Sequence, residues 1–286
     1  MEAVVKKVLL FGLVMVLALG AFALVGCGGE AAEIVDEPVV EGGEELAPDV
    51  QAIKDRGVLR VGVKNDVPHL GLLNPATDEY EGLEIDMAWA IAKEIIGDDA
   101  EVEFTAVTAD TRGDLLDNGQ IDMVIATFTI KPDRLEKWNF SDPYAGDPIG
   151  FLVNTASGIS ELADLDGKNI GVALGSSTQE GIENDAQTEG MSFTFTELDG
   201  YPALNTALAA NQIDAFSVDK SILRGYLADD RALLEISLTP QHYGIATKLG
   251  NDGLATLIND FVNRIKADGT LDQLLVDNGA EGYKLD

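Results

Sequence analysis

IDMVIATFTIKPDRLEKWNFSDPY, residues 121–144, opens on an apolar run too short for a helix. Residues 123–127 are continuously apolar or β-branched, which predicts a strand buried on both faces, as in a parallel sheet. Pro132 sits near a helix start, where its missing N–H does no harm. Arg134 follows this strand end. Ligands of open α/β sheets lie at the C-terminal ends of strands, and a guanidinium fork matches a carboxylate bidentately.

The same alternation extends in both directions. Upstream, residues 58–63 and 102–106 read as strands. Residues 85–96 read as a helix with Met87, Ile91 and Ile95 on one face. Residues 110–118 read as a helix closed by Gly119. Downstream, strands are expected at 149–153, 169–173, 193–196, 215–218, 234–236 and 243–247. Helices are expected at 179–187, 201–210 and 221–227, with a long amphipathic one over 252–266. Strand and helix in alternation predict an α/β protein with largely parallel sheets, and this much of it predicts two sheets. The nucleotide fingerprints G-x-G-x-x-G and G-x-x-x-x-G-K-[ST] are absent; GVALG at 171–175 lacks the third glycine.

The 286 residues carry a formal net charge of -31 and are 46% hydrophobic. That charge excludes nucleic acid as a partner, because a phosphate backbone needs a basic surface. Residues 1–26 read as a lipoprotein signal peptide: Lys6 and Lys7, then an apolar or small run over 8–25. Leu24, Val25, Gly26 and Cys27 resemble a lipobox, which makes Cys27 the expected lipidation site and the lipid the expected membrane attachment. Cys27 is the sole cysteine, so no intramolecular disulfide forms. Two alternatives stand: a retained membrane helix, since about 18 apolar residues is the lower end of a span, and an incidental thiol. Glu2 departs from the usual n-region. Residues 27–50 are acidic and rich in small residues, and read as a flexible tether.

Several segments in chain order resemble signatures of solute-binding protein family 3, the polar amino acid binders. They are GVLRVGV (57–63), YEGLEID (80–86), IDMVIATFT (121–129), KPDR (131–134), FSDPY (140–144), LADLDGK (162–168), GVALG (171–175) and AFSVDK (215–220). VKNDVPH (63–69), TRGDLLDNG (111–119) and FSVDKS (216–221) look most like the aspartate/glutamate-binding branch. The resemblance covers residues 50–275. It implies a type II periplasmic-binding-protein fold, two α/β lobes joined by a two-strand hinge that closes on ligand. Lobe one would be residues 51–144 with 243–286 returning to it. Lobe two would be 149–239, with crossings near 145–148 and 239–243. It further implies an ABC transporter permease as partner, an acidic amino acid as ligand, no cofactor or metal, and no enzymatic activity.

An amino acid held away from water needs a partner for each charge, because unpaired buried charge is costly. The family match implies Arg134 for the α-carboxylate, Asp219 for the α-ammonium, and Lys64 with Arg112 for a distal carboxylate. Asp219 would serve equally as the N-cap of the helix at 221–227. Ser176, Ser177 and Thr178 open a helix, where backbone N–H groups bind anions or are simply capped. Arg112 begins a helix, beside the positive end of its dipole, and that local conflict suggests a functional cause. Thr127 and Thr129 are candidate hydrogen-bond donors. Tyr201 and Tyr243 either line the cleft or pack a lobe core. His69 and His242 read as structural, and Asp86 as a member of a lobe network.

Three cations against one acid in this set favour glutamate or aspartate. Glutamine would leave a cation without its partner. The competing expectations are a binder of glutamine or another polar amino acid, a dehydratase on the same fold, and a receptor or sensor module. The last would carry a membrane span after the binding region, and none follows up to Asp286.

Overall fold

A computed structural model describes residues 46–285. The expected signal segment, Cys27 and nearly all of the tether lie outside the described residues. Among the described residues no helix is long and apolar enough to cross a membrane.

Two sheets organise the chain. The first has five strands in the order Glu101–Ala106, Val58–Val63, Met123–Ile125, Ala246–Lys248 and Trp138–Phe140. Its first three strands run parallel, Ala246–Lys248 runs against them, and Trp138–Phe140 pairs antiparallel with Ala246–Lys248. The second sheet runs Thr194–Leu198, Asn169–Ala173, Ala215–Asp219, Ala145–Asn154 and Arg231–Leu233. Met123, Val124 and Ile125 are all buried, the pattern of a strand covered on both faces. The helix Leu83–Ile96 covers the first sheet with Leu83, Met87, Ala88, Ile91 and Ile95 and turns Lys93 and Glu94 outward.

Ala145–Asn154 is the longest strand, and it is shared. Its C-terminal half pairs with Ala215–Asp219 and Arg231–Leu233 in the second sheet. Its N-terminal half pairs with Pro240–Tyr243, in the register Pro148 with Pro240 and Ala145 with Tyr243. These two antiparallel segments carry the chain from one lobe to the other and back, the two-strand connection of a type II periplasmic-binding fold.

Several expected boundaries move, each for a physical reason. The tether expected to reach residue 50 ends earlier, because the helix Pro48–Arg56 starts with Pro48 in its first turn and buries Val50 and Ile53. Asp49 then accepts the Leu254 N–H at 2.8 Å and ties that helix to the start of Asp252–Ala267. The strand expected at 234–236 lies instead at Arg231–Leu233. Leu234 is buried and Ile236 packs against the same core from a stretch that is not a strand. The single strand expected at 243–247 is two. Tyr243 ends the hinge, Gly244 passes so close to Ile130 that a Cβ would sit 2.9 Å from it, and Ala246 enters the first sheet. A small antiparallel sheet of Asp66–Val67, Gly71–Asn74 and Glu79–Glu81 was not expected. Its strands are too short to show periodicity.

Candidate ligand-binding site

The residues singled out by the sequence gather where the lobes face each other. Lys64 follows the strand Val58–Val63, Arg112 sits in the first turn of Thr111–Asp117, and Arg134 lies in the short helix Pro132–Leu135. Asp219 ends Ala215–Asp219, and Thr178 opens the helix Thr178–Glu189. Lys64, Arg112, Thr127, Thr129, Arg134, Thr178, Tyr201, Asp219 and Tyr243 are all buried; Ser177 is half-buried. In a protein with so many acids, three buried cations at one place need an explanation.

Arg112 meets the positive end of its own helix, and among the described residues no acid forms an ion pair with it. Its Nη1 donates to the Ala126 carbonyl at 2.8 Å and the Thr127 carbonyl at 3.3 Å. The guanidinium lies 3.9 Å from the centre of the Phe128 ring. Its Nε is buried with no hydrogen-bond partner. Desolvation, with Arg134 nearby, pulls its pKa down to about 9. Arg134 donates from Nη1 to the Thr129 carbonyl at 2.8 Å and from Nη2 across the cleft to the Gly175 carbonyl at 3.1 Å. Burial lowers its pKa to about 10. Gly175 has φ of +72°, and a Cβ there would meet Asp110 Cα at 2.8 Å. Only glycine lets the two lobes approach so closely at this point.

Asp219 occupies the N-cap position of Lys220–Arg224, yet its side chain makes no cap hydrogen bond. Asp147, from the hinge strand, does that work by accepting the Ser221 N–H at 2.5 Å. The Asp219 carboxylate instead accepts the Tyr243 hydroxyl. Desolvation pushes its pKa up to about 7, against the pull of Tyr243, Arg112 and Arg134. Arg134 and Asp219 feel each other's charge, yet no ion pair joins them.

The other expected residues tie the lobes together. Lys64 Nζ sits 4.4 Å from the Tyr201 ring centre, 3.4 Å from Asp66 Oδ1 and 3.4 Å from the Val107 carbonyl. Burial lowers its pKa. Ser177 Oγ lies 3.0 Å from Thr129 Oγ1 and donates to Gln241 Oε1 at 2.8 Å. At the rim, Lys131 bridges to Glu180 on the opposite lobe. Thr127 has φ of +47°, a strained value for a β-branched residue and a mark of functional positions.

Four residues escaped the sequence reading. Glu84 is fully buried; its Oε1 accepts the Thr127 N–H at 2.7 Å and the Tyr144 hydroxyl at 2.5 Å, and its Oε2 has no partner. Burial raises its pKa, while Tyr144, Thr127, Lys64 and Arg112 oppose the rise. Asp66 pairs with Lys64, Phe128 underlies both arginines, and Asp147 frees Asp219. YEGLEID holds three acids, Glu81, Glu84 and Asp86, and Asp86 is the expected network member. Asp86 does join a surface network, accepting from Asn278 Nδ2 at 2.8 Å, while the buried acid of the three is Glu84. His69 Nδ1 lies 2.9 Å from the Asn278 carbonyl, and His242 is exposed on the hinge.

Residues 59–277 match the family described as bacterial extracellular solute-binding proteins, family 3. The chain belongs to this family. It is 34% identical to the ABC transporter glutamine-binding protein GlnH of Bacillus subtilis over 93% of each chain. It is 31% identical to the glutamate-binding protein GluB of Corynebacterium glutamicum, over 79% of this chain and 80% of that one. Among solved structures it resembles a mutant of the protein ArgBP from T. maritima. That likeness has a TM-score of 0.70 at 25% identity, covering 82% of this chain and all of the other. These relatives are named as binding proteins for amino acids, and the fold matches that of the solved structure.

Proposed function

We propose that this protein captures a polar L-amino acid outside the cytoplasmic membrane and delivers it to an ABC importer. The observation that carries this reading is the placement of Arg134 and Asp219. Both are buried, they come from opposite lobes, and among the described residues neither has a direct ion-pair partner. An α-carboxylate matches the first and an α-ammonium the second, so a zwitterion would join the lobes. The relatives that bind glutamine and glutamate support this reading.

The favoured ligand shifts once the acids beside these cations are counted. The expectation of glutamate or aspartate rests on three cations, Lys64, Arg112 and Arg134, facing Asp219 alone. Asp66 and Glu84 also belong to the set, so three cations face three acids. A site that is already balanced suits glutamine, whose own charges cancel. Glutamate is the second reading, favoured by the buried Arg112 Nε without a partner.

A melting-temperature screen over the common amino acids tests both levels. Ligand at a hundredfold excess over its Kd should stabilise the fold by about 2.7 kcal/mol. Glutamine should rank first and glutamate second. A screen led by an apolar or cationic amino acid would overturn the assignment.

Cys27, in this reading, carries the lipid that holds the protein at the membrane. Cys27→Ser should prevent acylation and release the protein, or leave its signal segment uncut. If the variant fractionates with membranes as a cleaved and acylated protein, the anchor lies elsewhere.

A further inference from the structure

Glu84 has no part in the zwitterion-binding scheme, yet it is a fully buried acid placed among the site's own residues. Its Oε1 takes two donors, one from Thr127 and one from Tyr144. Its Oε2 is buried and unpartnered. The carbonyl of the same strained residue, Thr127, accepts from Arg112. Glu84 and Arg112 therefore grip the same residue from its two backbone polar groups. Lys64 and Arg112 are the cations whose charge reaches Glu84.

These positions have an electrostatic consequence. Lys64 and Arg112 alone would favour a carboxylate on the ligand side chain. A buried carboxylate beside them, held by the two donors on its Oε1, cancels part of that attraction in surroundings where water screens little. An amide feels no such penalty, because it brings no charge. We propose that Glu84 is a selectivity residue, the buried charge that makes this site prefer a side-chain amide over a side-chain carboxylate. This rests on the amino acid ligand proposed above and names the residue that discriminates within that class.

The test is the ratio of glutamine to glutamate affinity, measured by calorimetry on the whole protein. Glu84→Gln keeps an acceptor for Thr127 and Tyr144 and removes the charge. It should shift the ratio toward glutamate by about tenfold or more. Glu84→Asp keeps the charge with poorer geometry, so both affinities should fall while the ratio stays. Tyr144→Phe removes one hydrogen bond to Glu84 and no charge, so it too should leave the ratio in place. A ratio unmoved in Glu84→Gln, or moved equally in Tyr144→Phe, overturns the proposal and makes Glu84 a support for Thr127 only. If Glu84→Gln does not fold, Lys64→Met carries the test. Removing that cation should move the ratio toward glutamine, and an unchanged ratio overturns the charge argument. Unaltered protein that binds neither amino acid sinks the ligand assignment itself, an outcome separate from an unmoved ratio.

Discussion

Replacing Arg134 by methionine should weaken glutamine, glutamate and every other amino acid together. Truncating one partner of a buried, hydrogen-bonded charge pair costs about 2–5 kcal/mol, or about thirtyfold to several thousandfold in Kd. The α-carboxylate is common to all these ligands, so no selectivity should appear. Arg134 also donates to Thr129 on its own lobe and to Gly175 on the other. The variant thus loses a ligand contact and a strut between the lobes, and both losses fall on the bound, closed form. The ligand-free fold should change by about 1 kcal/mol or less, since lost hydrogen bonds and relief of a desolvated cation oppose each other. Calorimetry with a panel of amino acids and a melting curve without ligand separate the two effects. If glutamate is lost while glutamine is retained, Arg134 reads the side chain, and the assignments of Arg134 and Arg112 must be exchanged.

The residues the sequence made conspicuous share one property: each lies at a strand end or helix start. Lys64, Asp219 and the Thr127–Thr129 segment follow recognisable β-branched runs, and Arg112 contradicts the dipole of its helix. Such positions stand out because local patterning leaves them unexplained. Glu84 offered no such signal. It lies in the first turn of a helix, where an acid is ordinary, and nothing local distinguishes it from Asp86 two residues later. Only the packing of Tyr144 and Thr127 around it reveals that one is buried and the other exposed. Asp147 was hidden in the same way. Its cap to Ser221 spans distant parts of the chain, so Asp219 looked like an adequate N-cap until the structure supplied another acid.

The fold shows the same division. The long strand Ala145–Asn154 was legible only over its second half, because its first half contains Gly146 and Pro148, which argue against a strand interior. Both are tolerated there because that half is a connection with one partner strand, Pro240–Tyr243, rather than a central strand of a sheet.

Ligand affinity should depend on pH through Asp219. Its carboxyl, raised to about 7 by burial, keeps its proton where an exposed carboxyl has already lost it. In the ligand-free protein the folded state therefore binds a proton that the unfolded chain does not. This group's contribution to stability falls as pH rises from the ordinary carboxylate range to about 7. Binding runs the other way. An α-ammonium needs the ionised carboxylate, so below pH 7 each ligand bound must displace a proton. Affinity for glutamine should rise about tenfold per pH unit up to about pH 7 and then level, a gap of about a hundredfold between pH 5 and pH 8. Tyr243, Arg112 and Arg134 already favour the charged form, while Asp147 opposes it, so a bound ammonium tips a balance that is already close. Glutamine is the ligand to use, because it has no group of its own titrating in that window. Asp219→Asn should bind weakly and lose the slope, which separates Asp219 from the other raised carboxyls, Glu84 and Asp147. Calorimetry in buffers of different ionisation heat should detect the release of about one proton per glutamine at pH 6. A flat affinity profile from pH 5 to pH 8 in the unaltered protein would mean that Asp219 is ionised throughout, and that Tyr243 and the two arginines outweigh its burial.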